Sequence, residues 1–379
     1  MTATTAATLS VTCALYETHT ADVQKFIRRY YGENVYGANE AYFDWQYRQV
    51  PCDWFRSTAD QGRIPVNAVL DDDTSEILAV HVYVPFDARI GRQAGRGVWD
   101  TEWINGSGIV GLGRKLAAAL LDCSDVYAGF GMNDWANKSF EKLGLTIYPE
   151  INRRVAVLDR DGLAAEMTAA GYAWEAQGLP EAAQVLEREA FELMSTEAIP
   201  PHVLEREQIN TPFGVTRSPQ WLAWRFDRHP FITYRIVAAD PDGVDGVAMV
   251  RLENVVGTCY DACRIIEFYS MPGKEAALLE AVISYASSHG ALIVDHFTAS
   301  DSRARQFDQT TGGAALGFHA NPRVPYMYQP ISFNERNSIN MAVTCAESLK
   351  GAFELADFHA TKGDSDQDIL RSMDTAPAM

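Results

Sequence analysis

The stretch from Gly97 to Leu121 holds the residue types best placed for chemistry: G-V-W-D-T-E-W-I-N-G-S-G-I-V-G-L-G-R-K-L-A-A-A-L-L. Asp100 and Glu102 stand two apart in a run with Val98, Trp99, Trp103 and Ile104, so in a strand they are expected to share one face. Gly106, Gly108, Gly111 and Gly113 follow, and Arg114 to Leu121 carries Leu116, Leu120 and Leu121 at helical spacing. Strand, glycine turn and helix start form the arrangement that binds a phosphate. Glycines let the backbone come close, and unpaired N–H groups at the helix start point at the anion. The order G-x-x-G-x-G is the reverse of the dinucleotide fingerprint, and no P-loop Lys-Ser/Thr pair follows. A tight turn without a ligand is the competing reading.

The elements that must position this stretch can be read around it. Residues 10–17 read as a first strand, Ala21 to Tyr31 as an amphipathic helix, and Asn39 to Gln49 as a second helix that ends before Pro51. Pro65 to Leu70 and Ile77 to Pro85 read as strands about the acidic turn Asp71 to Thr74. Val126 to Phe130 is a further strand, Asn133 to Leu143 a helix stopped by Gly144, and Val155 to Leu158 a strand expected to close this half. Residues 161–210 are rich in Ala and Glu, with breaks at Pro180, Pro200 and Pro201, and read as a helical linker region.

The pattern then restarts. Ser218 to Pro230 lays over Asn39 to Pro51 without a gap, matching Trp45 with Trp224, Tyr47 with Phe226 and Pro51 with Pro230. Lys142-Leu143-Gly144-Leu145 has a counterpart in Ala315-Leu316-Gly317-Phe318. A period this long is far beyond solenoid repeats and reads as duplication of a whole domain. The second copy has strands near Ile232 to Ala238, Gly246 to Glu253, Cys263 to Tyr269 and Ala291 to Phe297, with a helix from Glu275 to Ser288. Its turn, Met271-Pro272-Gly273-Lys274, keeps one glycine and places a proline where a free N–H would be useful. The expected division is a first domain at 1–160, a linker region at 161–210, a second domain with a degenerate turn at 211–335, and a C-terminal helix and acidic tail at 336–379.

Composition bounds the function. The 379 residues carry a net charge of −18, which argues against a nucleic-acid or anionic-membrane binder, since both need a basic surface. Hydrophobic residues at 47% suffice for real cores. Cys259 and Cys263 form a lone C-x3-C without a second pair, so neither zinc nor another metal is expected. The start M-T-A-T-T-A-A-T-L-S lacks a signal-peptide pattern, and no apolar run is long enough to span a bilayer, so a cytoplasmic location is the expectation.

On these motifs the first half resembles the GNAT acyltransferases. Their pyrophosphate loop, Gln/Arg-x-x-Gly-x-Gly/Ala, corresponds to Gly108-Ile109-Val110-Gly111-Leu112-Gly113, with Gly108 departing from the pattern. Their later motif corresponds to Asn133, Ala136, Phe140 and Leu143-Gly144-Leu145, with Phe140 where a tyrosine often acts as general acid. The aromatic segments and the tail Thr361 to Asp368 resemble tandem-GNAT proteins of bacterial sugar or natural-product pathways. The resemblance implies an α/β fold: two GNAT-like domains in tandem, each a mixed sheet splayed where a thioester enters. It implies acetyl-CoA or another acyl-CoA as co-substrate, held by N–H groups of Ile109, Val110, Gly111, Leu112 and Gly113 with charge from Arg114 and Lys115. Asn133 would bond the pantetheine arm or cap its helix.

Such a site needs a base for the acceptor amine and N–H groups for the carbonyl oxygen. Glu102 is the expected base and Asp100 the runner-up, with solvent exposure or pairing with Arg96 as the bland reading. Tyr127 is a candidate proton donor to the leaving thiolate, against a reading as plain core. Asp295 and His296 end the second copy's central strand, where an acceptor could be gripped. Trp45 is a further substrate-side candidate, although its apolar helix reads as core. The tail's acids, Asp364, Asp366 and Asp368, lack the glycine and glutamate of a calcium loop, and the tail is read as a cover over the pocket or as free in solution. The leading function is an N-acyltransferase acting on the amine of a small metabolite, an amino sugar or amino-acid-like intermediate. The alternatives are an acyltransferase fed by a carrier protein's pantetheine thioester, with Arg89, Arg92, Arg96 and Arg114 as its docking patch, and a non-catalytic GNAT-fold binding protein.

Overall fold

The computed structural model describes residues 9–32, 35–185, 188–310, 313, 315–320, 339–349 and 357–365. The first half runs β1 (Val11–Thr12), α1 (Thr20–Tyr31), α2 (Glu40–Phe43, widening into a π turn at Asp44–Arg48), α3 (Asp53–Ala59), β2 (Val66–Leu70), β3 (Ile77–Ile90), β4 (Gln93–Asn105), α4 (Leu112–Cys123), β5 (Val126–Phe130), α5 (Asp134–Lys142) and β6 (Thr146–Tyr148). Then come β7 (Asn152–Val157), α6 (Arg160–Ala169), α7 (Ala173–Gln177), β8 (Phe191–Leu193), α8 (Pro201–Asn210) and β9 (Phe213–Val215). The second half runs α9 (Pro219–Leu222, with a π turn at Ala223–Asp227), β10 (Arg235–Ala238), β11 (Gly246–Asn254), β12 (Asp261–Ser270), α10 (Glu275–Ser288), β13 (Ala291–Thr298), α11 (Asp301–Thr310), β14 (Phe318–Ala320) and β15 (Met341–Cys345). None of the described helices is long and apolar enough to cross a membrane.

Two mixed sheets result. One has the order β1-β2-β3-β4-β5-β15-β6 with β9 added beside β3, and the other β14-β7-β13-β12-β11-β10-β8. Among the described strands only β4/β5 and β12/β13 pair in parallel, and each pair is bridged by a helix, α4 or α10, as a parallel connection requires.

The sheets exchange strands. The Val155 to Leu158 segment, expected to close the first half, belongs to β7, which pairs with β13 from Asn152↔Thr298 to Val157↔Ile293. In return β15 pairs with β5 and β6 in the first sheet, where a C-terminal helix was expected. Residues 350–356 and the acids Asp366 and Asp368 lie outside the described residues. The linker region is only partly helical, since Phe191–Leu193 pairs with β10 at the edge of the second sheet. A short β-branched run announces a strand, but its partner is chosen by long-range packing.

The duplicated segments meet face to face. Asn39 and Ser218 each cap their helix, accepting from the N–H three residues on, and both helices then widen into π turns. The rings of Trp45 and Trp224 stack with centroids 4.8 Å apart. Trp45 Nε1 donates to the Trp224 carbonyl at 2.9 Å, and Trp224 Nε1 to the Trp45 carbonyl at 2.8 Å. Arg225, fully buried, lies over the Trp45 ring. Trp45 is therefore core and not a substrate contact: it is 2% exposed and its one donor is spent. One apolar cluster runs through both halves, with Trp99, Phe130 and Phe213 from one side and Ile266, Tyr269 and Phe297 from the other. Trp224→Ala should cost about 3–5 kcal/mol, because it leaves a large cavity and strips a buried carbonyl of its donor. Urea denaturation followed by tryptophan fluorescence measures this, and a loss under about 1 kcal/mol would mean that the pair does not hold the halves together.

Candidate active site

The site is built where β4 and β5 part. Their parallel register runs from Gly97↔Val126 to Asp100↔Gly129 and stops, while β4 continues to Asn105. At the same point β4 carries a bulge: Tyr83 pairs with Asp100 and Val82 with Glu102, so Thr101 is the extra residue. An extra residue resets the alternation of side chains. Asp100 and Glu102, expected on one face, therefore point to opposite faces. Thr101 Oγ1 donates to the Val82 carbonyl and lies 3.2 Å from the Tyr47 hydroxyl. Glu102 turns to the same inner side, where a methyl group added to Gly37 would stand 3.0 Å from its Oε1. Glu102 is half-buried beside the segment that joins α1 to α2.

Asp100 faces the helices on the other side. Its Oδ1 is hydrogen-bonded to His81 Nε2, and the Tyr127 hydroxyl lies 3.3 Å from the same nitrogen. Trp103 stacks over His81, and Phe140 stacks on Trp103. His81 is 0% and Tyr127 1% exposed. Burial, and then the Asp100 charge, push the Tyr127 phenol well above its ordinary range. Tyr127 is thus a neutral, covered phenol held in a polar cluster within the core. Asp100, the runner-up base, is tied to His81 and stands on the wrong face to share a substrate with Glu102. His81 escaped the sequence reading: it sits in an apolar strand, and only its register opposite Trp103 brings it to Asp100.

The glycine turn is open. Gly108 and Gly111 adopt φ of +71° and +95°, and a Cβ at either would meet nothing within 4 Å. Gly106 and Gly113 are glycines for another reason, since a Cβ there would strike Tyr30 and Trp103. Asn105 shapes the loop, donating to the Ile109 carbonyl and accepting from the Ser107 hydroxyl. The Ile109 N–H is already donated to Ser107 Oγ, so Ile109 is not a phosphate donor. Gly111 caps α4, and the first intrahelical bond runs from the Lys115 N–H to the Gly111 carbonyl. The N–H groups of Leu112, Gly113 and Arg114 are left without intrahelical partners, beside those of Val110 and Gly111 in the turn. Arg114 and Lys115 are exposed at this end. Asn133 caps α5, its Oδ1 accepting from the Ala136 N–H.

The second half's candidates separate. Asp295 is fully buried in an ionic network: it accepts from Arg153 and Arg264, Arg264 also pairs with Glu253, and Arg251 pairs with Glu253. Burial would raise its carboxyl, but the Arg264 and Arg153 charges hold it below the usual range. Both its oxygens are engaged, so Asp295 is not a substrate contact. His296 does line a cleft, with its Nδ1 against the Ile265 carbonyl and its ring near Phe307. The described part of the tail, residues 357–365, is buried between the halves. Phe358 packs on Trp99 and Phe213, Asp364 forms a two-point pair with Arg217, and Gln46 donates to the Ser365 carbonyl.

No family model matches the sequence, and no curated protein matches it. Solved structures do. A GCN5-related N-acetyltransferase from Kribbella flavida aligns with a TM-score of 0.52 at 13% identity, covering 90% of this chain and 71% of that one. A conserved protein of unknown function from Enterococcus faecalis V583, described as a "Probable N-Acyltransferase", aligns at 0.53 and 8% identity, covering 89% and 73%. The fold is that of the GCN5-related N-acetyltransferases. The GNAT plan occurs twice here, with a glycine turn in the first copy and Met271-Pro272-Gly273-Lys274 in the second, where Lys274 pairs with Asp245.

Burial pushes the His296 imidazole down to about 4. The unfolded ring titrates near 6.5, so its contribution to stability is complete above that pH and is lost as pH falls toward 4. At ~1.4 kcal/mol per pH unit, the loss reaches about 2 kcal/mol by about pH 5. Urea midpoints at about pH 7.5 and about pH 5 should differ less in His296→Asn than in the wild type. An equal difference would place the pH dependence elsewhere.

Proposed function

We propose that the chain is an N-acyltransferase that moves an acyl group from acetyl-CoA or another acyl-CoA to the amine of a small metabolite, such as an amino sugar or an amino-acid-like compound. The observation that carries this is the bulge at Thr101, which sets Glu102 at the parting of β4 and β5 beside an open glycine turn. The residues present fit the CoA pyrophosphate. Gly108 and Gly111 leave the space above them clear, the head of α4 offers N–H groups from Val110 to Arg114, and Arg114 and Lys115 add positive charge. A CoA thioester would supply the activated acyl carbonyl. Glu102 then takes the proton of the attacking amine, directly or through one water. Backbone N–H groups of β4 beyond Asp100, which no longer face β5, are placed to hold the carbonyl oxygen. The departing thiolate takes its proton from water, because Phe140 has none to give and Tyr127 is covered.

One observation favours a carrier-protein thioester as the second reading. Val110, at the tip of the turn, is 93% exposed, and Trp135, whose ring lies 5.3 Å from that of Trp103, is 62% exposed, apolar surface of the kind a partner protein covers. The basic patch imagined for that partner is reduced, since Arg96 is paired with Asp125.

Calorimetric titration with CoA and acetyl-CoA tests the donor. Gly111→Arg should abolish binding by filling the turn. Because Gly111 is left-handed, Gly111→Asn serves as the control for backbone strain and should bind. No binding to wild type at millimolar CoA would sink the acyl-CoA reading and make an acylated carrier protein the next titrant. With an amine acceptor in hand, Glu102→Gln should lower kcat by roughly 10²–10⁴ without raising the KM for acyl-CoA. A kcat within about twofold of wild type would remove Glu102 as the base.

A further inference from the structure

The second sheet repeats the bulge of the first but not its hydroxyl groups. Met249 pairs with Glu267 and Val250 with Ile265, leaving Ile266 as the extra residue. In β3 and β4 the corresponding pairs are Val82 with Glu102 and Tyr83 with Asp100, and the extra residue is Thr101. The duplicated π turns differ in the same sense. Tyr47 of the first copy stands where the second has Phe226. At both positions the first half carries a hydroxyl and the second an apolar side chain.

The two hydroxyls of the first half form a directed chain. Thr101 Oγ1 donates its single proton to the Val82 carbonyl at 2.9 Å, and the Tyr47 hydroxyl lies 3.2 Å from the same Oγ1. With the threonine proton spent on Val82, the tyrosine is the donor of the second bond. Tyr47 thus donates to Thr101 and Thr101 to Val82, and each bond polarises the next. Val82 is the residue paired with Glu102, so the chain ends on the facing strand where the carboxylate leaves β4. A bulge interrupts the ladder and leaves its extra residue unpaired. Here the Thr101 side chain supplies the cross-strand bond that its backbone lacks. Tyr47 is itself held firmly: it is 2% exposed, and its ring packs on Phe43 with centroids 4.8 Å apart. It belongs to the π turn that Trp45 locks against Trp224. The chain therefore ties the bulge of β4 to the contact between the halves.

We propose that Tyr47 and Thr101 are positioning residues, a hydroxyl chain that fixes the bulge of β4 and so aims the Glu102 carboxylate at the acceptor amine. The inference rests on Glu102 as the base of the proposed acyl transfer. Neither hydroxyl takes or gives a proton in the reaction. Both act through the backbone that carries Glu102, where a misplacement of about 1 Å is enough to cost up to about a hundredfold in rate. The pyrophosphate turn is untouched by either side chain, so donor binding is expected to be independent of them.

The test uses the full chain, acetyl-CoA and an amine found by screening amino sugars and amino acids. Thr101→Val, which keeps the shape of the side chain, should lower kcat by about tenfold to a hundredfold with the KM for acetyl-CoA unchanged. Tyr47→Phe should lower it by about three- to tenfold, the effect of one hydrogen bond. Thr101→Ser restores the hydroxyl and should return kcat to within about twofold of wild type. Ile266→Val, the like change at the second bulge, should leave kcat unaltered. In a Glu102→Gln background Thr101→Val should cost nothing further, whereas damage to the fold at large would lower both backgrounds alike. Amide hydrogen exchange across β4 needs no acceptor: it should quicken by about fivefold or more in Thr101→Val and Tyr47→Phe but not in Ile266→Val. Unchanged exchange in both variants overturns the inference whatever the activity. So does wild-type kcat in Thr101→Val beside an impaired Glu102→Gln, which leaves the acyltransferase reading standing. Wild-type kcat in Glu102→Gln removes the base, and the inference falls with it.

Discussion

The two indoles of Trp45 and Trp224 each donate to the other's backbone carbonyl, and that reciprocal contact is what the two halves are arranged around. It has the logic of a two-fold interface, in which residue i meets j and j meets i, enacted within one chain by a duplicated segment. Both helices widen to π turns at the contact, which frees and re-aims backbone groups as a regular α turn would not. With the helices back to back, each sheet turns one face inward, and the largest apolar cluster fills the space between them. The strand exchange follows the same plan. β7 completes the second sheet and β15 the first, so neither sheet closes without chain from the other half.

Within each sheet a single extra residue decides what the inner face carries. Without the bulge at Thr101, alternation would send Glu102 outward with Asp100, into the polar cluster under Trp103. With it, Asp100 is spent on His81, and Glu102 turns to the inner side beside Gly37. The second sheet makes the same choice at Ile266, but the surroundings differ. Glu267 meets Arg217, Thr361 and the buried tail, where Glu102 meets a loop between helices. The two sheets share the geometry of the bulge and differ in the chemistry around it. The open glycine turn at α4 has no equal at α10, where Lys274 of the turn pairs with Asp245.

Buried charge in the second half is handled by pairing. Arg153, Asp295, Arg264, Glu253 and Arg251 form a continuous chain of opposite charges under the strands, and each guanidinium is held by a carboxylate at about hydrogen-bond distance. Such a chain tolerates no missing member, since one removed partner leaves an uncompensated charge in the core. The tail extends this scheme, with Asp364 gripping Arg217 and Phe358 filling the gap between Trp99 and Phe213. A segment that reads as an acidic end of the chain is, in its described part, a wedge between the halves.

The sequence by itself determined the strands and helices that carry strong periodicity, the glycine turn at the head of α4, and the duplication, because these rest on spacing between near neighbours. Asn133 as a helix cap and Gly144 as a helix stop belong to the same class, since caps and left-handed glycines act over three or four residues. Tertiary structure alone decided the rest. Whether Asp100 and Glu102 share a face depended on one bulge, which needs the facing strand to define it. Asp295 carried the same sequence signal as a binding residue, yet Arg153 and Arg264 claimed it from strands 142 and 31 positions away. His81, Glu267 and the partner sheets of β7 and β15 were silent for the same reason. Their roles are set by what stands opposite them across a sheet, and a linear pattern holds no information about which strand that will be.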